Sequence, residues 1–241
     1  MKAAVVQAED ALIQKLIANL GIDGGYDSLV RDLFHDLSQP LSTVSCVLEN
    51  QLLVSRSPKQ YRDDLKIALK QVRSIVWHFH ALRELWDAGS AQQNQESLSV
   101  AACMRDLAGD LLPVAESKKV KLLLATSADC MVHFQAGRLG QALTHLLEFA
   151  IQFCAAGAEV EIVADAEGET ARIALEISAL ELPPAKNPAE GCAADRKQCE
   201  LKARLDLAVA WRVFAVVGGD LRVERNEDRL RLGVVLPLAY R

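Results

Sequence analysis

The sequence predicts an α+β protein in two parts, a long helical hairpin followed by an α/β sandwich. Three observations carry that reading. Residues 28–54 and 58–88 place apolar side chains at steps of three and four, over lengths that only long helices reach. Residues 89–95, Gly-Ser-Ala-Gln-Gln-Asn-Gln, are small and polar and read as a linker. After them short β-like runs alternate with helices.

The 241 residues suffice for one large domain or two small ones. With 51% hydrophobic and 24% charged residues, the composition is that of a globular chain and excludes a disordered one. A net charge of −5 argues against nucleic acid as a partner, since that role calls for a basic face. No apolar run reaches the roughly 18–20 residues needed to span a bilayer. Acidic residues in the opening stretch fall where a signal peptide has its apolar core, so the protein reads as cytoplasmic, with no membrane partner. Cys46, Cys103, Cys130, Cys154, Cys192 and Cys199 sit singly, with no C-x-x-C pair. They are expected to be reduced and mostly buried.

Residues 1–25 form an N-terminal helical extension, with a helical pattern over 3–20 ended by Gly21 and Gly24-Gly25. Residues 26–88 form the hairpin. Its first apolar stripe is Val30, Leu33, Leu37, Leu41, Val44, Leu48 and Leu52. Ser57 then caps the second helix, with Pro58 at its first position. The second stripe is Tyr61, Leu65, Ala68, Val72, Ile75, Phe79, Leu82 and Trp86, and Gly89 closes the helix. The seven-residue rhythm suits a bundle seam. One hairpin buries little alone, so two chains are expected to pair as a four-helix homodimer. Residues 96–241 form the second domain. Helices are expected over 100–117, 137–155 and 200–217, with strands at 120–125, 160–165, 171–178, 221–225 and 230–237. The strands are expected to be antiparallel, with helices on one face, and residues 180–199 to be a loop.

The segment Phe34-His35-Asp36-Leu37-Ser38-Gln39-Pro40-Leu41 carries the most chemical information. His35 falls about 160° from the centre of the apolar stripe. It shares its face with Arg31, Ser38, Gln39, Ser42 and Cys46, and is therefore expected to be exposed. Pro40, inside the helix, withholds a hydrogen bond from the carbonyl of Asp36 and costs roughly 3 kcal/mol. Local rules broken in this way often mark function. Neutral imidazole is a nucleophile near neutral pH. Asp36 can orient the ring or take a proton, and Gln39, one turn on, can position a water or a phosphoryl oxygen. A merely solvated histidine is the competing reading. Trp77-His78-Phe79-His80 does not make a metal site, because residues two apart on a helix point apart. His133 and His145 read as isolated.

His35-Asp36-Leu37-Ser38-Gln39-Pro40-Leu41 resembles the H-box of sensor histidine kinases. The resemblance implies that His35 is phosphorylated on a dimeric four-helix bundle. It further implies that Asp36 assists kinase chemistry and that Gln39 assists dephosphorylation of a partner receiver domain. Residues 96–241 are similar to the ATP-binding domain of the same kinases, an α/β sandwich of the Bergerat type. Residues 138–153 follow the N-box rhythm, and Gly218-Gly219-Asp220-Leu221 with Val234-Val235-Leu236-Pro237-Leu238 follow the last hairpin.

The departures from that family decide the expected function. Its magnesium-holding asparagine falls on Phe149, and its adenine-binding aspartate falls on Ala179. Its second glycine box falls on residues 203–207, Ala-Arg-Leu-Asp-Leu, which offer no glycine and place Asp206 where phosphate would lie. The ATP site is therefore expected to be lost, with no cofactor and Mg²⁺ only on the partner receiver. This reading makes the chain a pseudokinase-like histidine phosphotransfer protein. Its partners are response-regulator receiver domains and an upstream hybrid kinase. The alternatives are a binding module that docks a response regulator without passing phosphate, and an active kinase with an unusual ATP site.

Overall fold

The computed structural model describes residues 25–54, 57–90, 94–126, 130–180, 192–226 and 229–239. The helix expected over 3–20, and residues 181–191 of the expected loop, lie outside them. The architecture is α+β, with long helices first and a sheet domain after them. The chain divides into an N-terminal unit, Ile22–Asp87, and a C-terminal unit, Ala88–Arg241.

The N-terminal unit consists of α1 (Gly25–Leu53) and α2 (Pro58–Ala88). Ser57 begins α2 with a capping box. The Gln60 N–H donates to Ser57 Oγ at 3.4 Å, and the Ser57 N–H donates to Gln60 Oε1 at 2.9 Å. Gln51 of α1 donates to the Asp64 carboxylate of α2 and sets the antiparallel register.

On α1 the buried line is Leu29, Leu33, Leu37 and Pro40. On α2 the line through Asp64 passes Gln71, His78 and Leu85, of which His78 and Leu85 are buried. The stripe expected on α2 for a four-helix seam is the neighbouring line, and a single chain leaves most of it open. Of that stripe only Ala68 is buried, while Leu65, Val72, Phe79 and Trp86 are exposed, as are Leu41, Leu48 and Leu52 of α1. Two helices bury only the strip between them, and the broader apolar surface stays open in a single chain.

The C-terminal unit contains β1 (Glu96–Ser99), α3 (Val100–Ser117), β2 (Lys121–Thr126), β3 (Met131–Phe134), α4 (Ala136–Phe153), β4 (Glu159–Glu167), β5 (Thr170–Ile177), α5 (Cys192–Ala215), β6 (Asp220–Asn226) and β7 (Arg229–Pro237). A five-stranded sheet runs β2-β4-β5-β7-β6. It is mixed rather than antiparallel, because β2 pairs with β4 in parallel through the crossover of α4. The strands β1 and β3 pair separately; at four residues each they are too short for periodicity to reveal.

Alternation along the strands sends Val160, Ile162, Ile173, Leu175, Leu232 and Val234 inward against the helices. The opposite face carries charge, with Arg231 3.5 Å from Glu176. The helix expected from residue 200 begins at Cys192. It ends at Ala215, and the turn after it passes through Gly218, in the left-handed region at φ +77, to Gly219, where a Cβ would meet Leu236 Cδ2 at 2.5 Å and the Val235 carbonyl at 3.0 Å.

Cys130 and Cys154 are buried, Cys103 and Cys199 half-buried, and Cys46 exposed, so the expectation of mostly buried thiols fails on α1. Burial pushes the Cys154 thiol from 9.0 up to about 11, against a smaller opposing pull from Lys118. The unfolded chain therefore loses this proton first, and stability falls as pH rises through that window. Thermal unfolding between these two pH values should show the fall, and Cys154→Ala should flatten it. An equal slope in both proteins would contradict this assignment.

Candidate functional site

His35 projects from α1 with 79% of its side chain exposed, beside Asp36 at 14%. His35 Nδ1 lies 3.1 Å from Asp36 Oδ1. With the carboxylate ionised, the Nδ1–H donates to it, and the lone pair is left on Nε2 at the exposed edge of the ring. Arg31, Ser38, Gln39, Ser42 and Cys46 are all exposed, as their shared face requires.

Pro40 is buried within the continuous helix and has no N–H to offer the Asp36 carbonyl. The hydroxyls around it bond back along the helix. Ser38 Oγ donates to the Phe34 carbonyl at 3.1 Å, Ser42 Oγ to that of Ser38 at 3.0 Å, and Thr43 Oγ1 to that of Gln39 at 3.0 Å. These bonds occupy the hydroxyls locally and leave Gln39 as the exposed polar side chain one turn after His35.

The other histidines of this unit differ. His78 is buried, and its Nδ1–H donates to the Ser74 carbonyl at 2.7 Å. Its ring stands edge-on to Trp77, with centroids 5.0 Å apart. His80 is exposed.

In the C-terminal unit, Phe149 is 1% exposed and stacks on Phe153, ring centroids 4.8 Å apart. The Ala179 carbonyl accepts the Ala155 N–H at 2.9 Å. Residues 203–207 lie several turns inside α5, where each backbone N–H serves the helix itself and none is left to reach outward. Asp206, 1% exposed, is held between two cations or donors. Its Oδ1 lies 2.8 Å from His145 Nδ1, and its Oδ2 accepts from Lys202 Nζ at 2.8 Å. Lys202 Nζ also donates to Glu148 Oε2 at 2.9 Å. Burial works against the Lys202 ammonium, but Asp206 and Glu148 outweigh it and hold its pKa above 10.5.

No protein-family model matches the chain, and no curated protein matches it. Solved structures do. The histidine kinase AdeS of Acinetobacter baumannii superposes with a TM-score of 0.59 at 15% identity, over 86% of this chain and 98% of that one. Full-length ShkA, crystallised in complex with AMPPNP, superposes at 0.56 and 20% identity, over 88% of this chain and 46% of that one. The chain has the fold of a sensor histidine kinase core.

Within that kinase-core fold, the site contains a pairing that sequence reading missed. His145 read as isolated, but it faces Asp206 across the α4–α5 seam. The local signal was there in halves. His145 and Glu148 share a face of one helix, and Lys202 and Asp206 share a face of another. Nothing local says that the two faces meet. Removing Asp206 from this seam strands two of its partners, so Asp206→Ala should lower stability by about 2 kcal/mol, discounted because Lys202 and Glu148 are partly solvated. Urea denaturation measures this. A loss near zero would mean that the network contributes only shape.

Among the described residues, no helix is long and apolar enough to cross a membrane.

Proposed function

We propose that the chain is a histidine phosphotransfer protein of a two-component relay, working as a homodimer and without ATP. The observation that carries this reading is the exposed His35 ring, oriented through Nδ1 by Asp36 with Nε2 open to a partner. The donor is an aspartyl phosphate on a receiver domain. The Nε2 lone pair attacks phosphorus, the bond from phosphorus to the aspartyl oxygen breaks, and the carboxylate leaves with its electron pair. The Nδ1 proton stays on the ring, shared with Asp36, which offsets the positive charge that the ring acquires. The reverse step hands the group to a second receiver. Mg²⁺ belongs to the receiver in both directions.

Three positions support independence from ATP. A magnesium ion calls for oxygen ligands, and Phe149 offers none and is packed away. Ala179 has no carboxylate for adenine, and residues 203–207 have no free backbone donors for phosphate. Isothermal calorimetry with Mg-ATP should therefore register no binding heat; a micromolar dissociation constant would restore the kinase reading. The AMPPNP complex of ShkA is the observation on the kinase side, since its fold is shared.

The deciding experiment offers the protein labelled ATP and, separately, a panel of phosphorylated receiver domains. Label from receivers alone is the expected result. Label from ATP identifies a kinase, and label from neither identifies a binding module.

A further inference from the structure

The seam that joins His145 to Asp206 also carries a group of side chains that the chemistry of His35 leaves unused. On α4, His145, Glu148 and Gln152 follow at steps of three and four and share a face. On α5, Asp206, Lys202 and Cys199 do the same in the opposite direction. His145 Nδ1 lies 2.8 Å from Asp206 Oδ1, and Lys202 Nζ donates to Glu148 Oε2 at 2.9 Å. These two bonds set an antiparallel register, and one further turn brings Cys199 about level with Gln152. Cys154 follows two residues later as the C-cap of α4, extended at φ −76 and ψ 133. It is held from both sides. The Cys154 N–H donates to the Ala150 carbonyl at 3.0 Å, and the next N–H, that of Ala155, donates to the Ala179 carbonyl at 2.9 Å.

A third helix adds a cation. Lys118 caps the C-terminal end of α3, and its Nζ donates to the Gln152 carbonyl at 3.4 Å. Its ammonium thus sits at the level of Cys199. Burial lowers the pKa of Lys118, Cys199 and Cys154 pull it back up, and the Lys202 ammonium opposes them. Both sulfurs therefore lie within electrostatic reach of one nitrogen. The two thiols are unlike. Cys199 is half-buried and has Lys202 one turn further along its own helix. Cys154 is buried, and burial holds its proton in place, with a pKa of about 11. Both are free thiols.

We propose that Cys199 and Cys154 form a peroxide-sensitive thiol pair, with Cys199 as the attacking sulfur, Cys154 as the resolving sulfur and Lys118 as the cation that favours attack. Reactive cysteines sit partly exposed in electropositive surroundings, and Cys199, between Lys118 and Lys202, meets both conditions. The substrate is a hydroperoxide, small enough to reach a half-buried thiol. The Cys199 sulfur attacks one peroxide oxygen, the O–O bond breaks, and the departing oxygen takes the thiol proton and leaves as water. Sulfur is oxidised to the sulfenic acid and the peroxide is reduced. The Cys154 sulfur then attacks the Cys199 sulfur. The S–S bond forms, the S–O bond breaks, and hydroxide leaves with the Cys154 proton as a second water. Two thiols and one hydrogen peroxide thus give one disulfide and two waters. A disulfide calls for Cα atoms roughly 4.4–6.8 Å apart. Cys199 lies about two turns from the start of α5 at Cys192, and helix ends open most easily, so that end supplies the approach. The product staples the end of α4 to α5, and an added thiol reverses it. This chemistry is independent of His35.

The experiment treats the full chain with graded hydrogen peroxide, blocks the remaining thiols with an alkylating agent and maps the peptides by mass spectrometry. The expected product is a link within one chain between the peptides that carry Cys154 and Cys199, reversed by dithiothreitol. It should form roughly tenfold or more faster than the exposed Cys46 is oxidised. Cys154→Ala should stop at the sulfenic acid on Cys199, which dimedone captures. Lys118→Met should slow that oxidation roughly tenfold, and Lys118→Arg, which keeps the charge, should restore it. Oxidation of Cys46 should be the same in every variant. Mapping of the wild-type chain decides the pairing whatever a variant does to the fold. A link from Cys199 to any other cysteine would overturn the proposal. So would oxidation of the pair no faster than that of Cys46, or a rate indifferent to the charge at position 118.

Discussion

Replacing His35 by alanine should abolish labelling from a phosphorylated receiver and leave the fold intact. The ring is largely exposed, and its described side-chain bond is to its sequence neighbour Asp36. Exposed substitutions of this kind usually change stability by no more than about 0.5 kcal/mol. Loss of label would therefore be loss of the nucleophile and not of the domain, which circular dichroism of the same sample can verify. His80→Ala is the matching control, another exposed histidine in the same unit without an acidic neighbour or a following proline. Asp36→Asn should slow transfer, because a neutral amide balances the developing imidazolium poorly. Gln39→Ala should still accept phosphate and should lose it to water more slowly, because Gln39 is not the nucleophile but is placed to hold a water. If His35→Ala takes label at the wild-type rate, the relay reading is wrong and the binding-module reading replaces it.

The second large effect concerns assembly. Leu65, Val72, Phe79 and Trp86 recur every seven residues and stand exposed, with Phe79 at 59%. Phe34, Leu41 and Leu48 recur likewise on α1 and share the same flank. Each such side chain is worth about 1.5–3 kcal/mol when fully covered. In a two-fold interface every position counts twice. The double substitution Val72→Glu/Phe79→Glu places four carboxylates in such a seam and should weaken the dimer by at least about a thousandfold. Light scattering at tens of micromolar should give a dimer for wild type and a monomer for the variant. A wild-type monomer at that concentration would remove the four-helix bundle from the proposal.

The two long helices were legible in the sequence because their signals are local. Ser57 with Gln60 marks the start of α2, and apolar steps of three and four run through both helices. The exposure of His35 followed from the same angular counting, and so did the strands β4, β5 and β7, whose alternation spans eight or nine residues.

What failed locally failed for one physical reason. Periodicity says that a face is apolar or polar and does not say what it meets. Within one chain α2 encloses the line Asp64, Gln71, His78 and Leu85, and the more apolar Leu65, Val72, Phe79 and Trp86 stay open, a division that periodicity alone does not make. The parallel pairing of β2 with β4 depends on how α4 crosses over, and β1 and β3 gain their definition only from each other. His145 and Asp206 stand 61 residues apart, and each alone reads as a polar residue on a helix. Only the packing of α4 on α5 places them 2.8 Å apart, because a contact between elements is a property of both surfaces and is written in neither one alone.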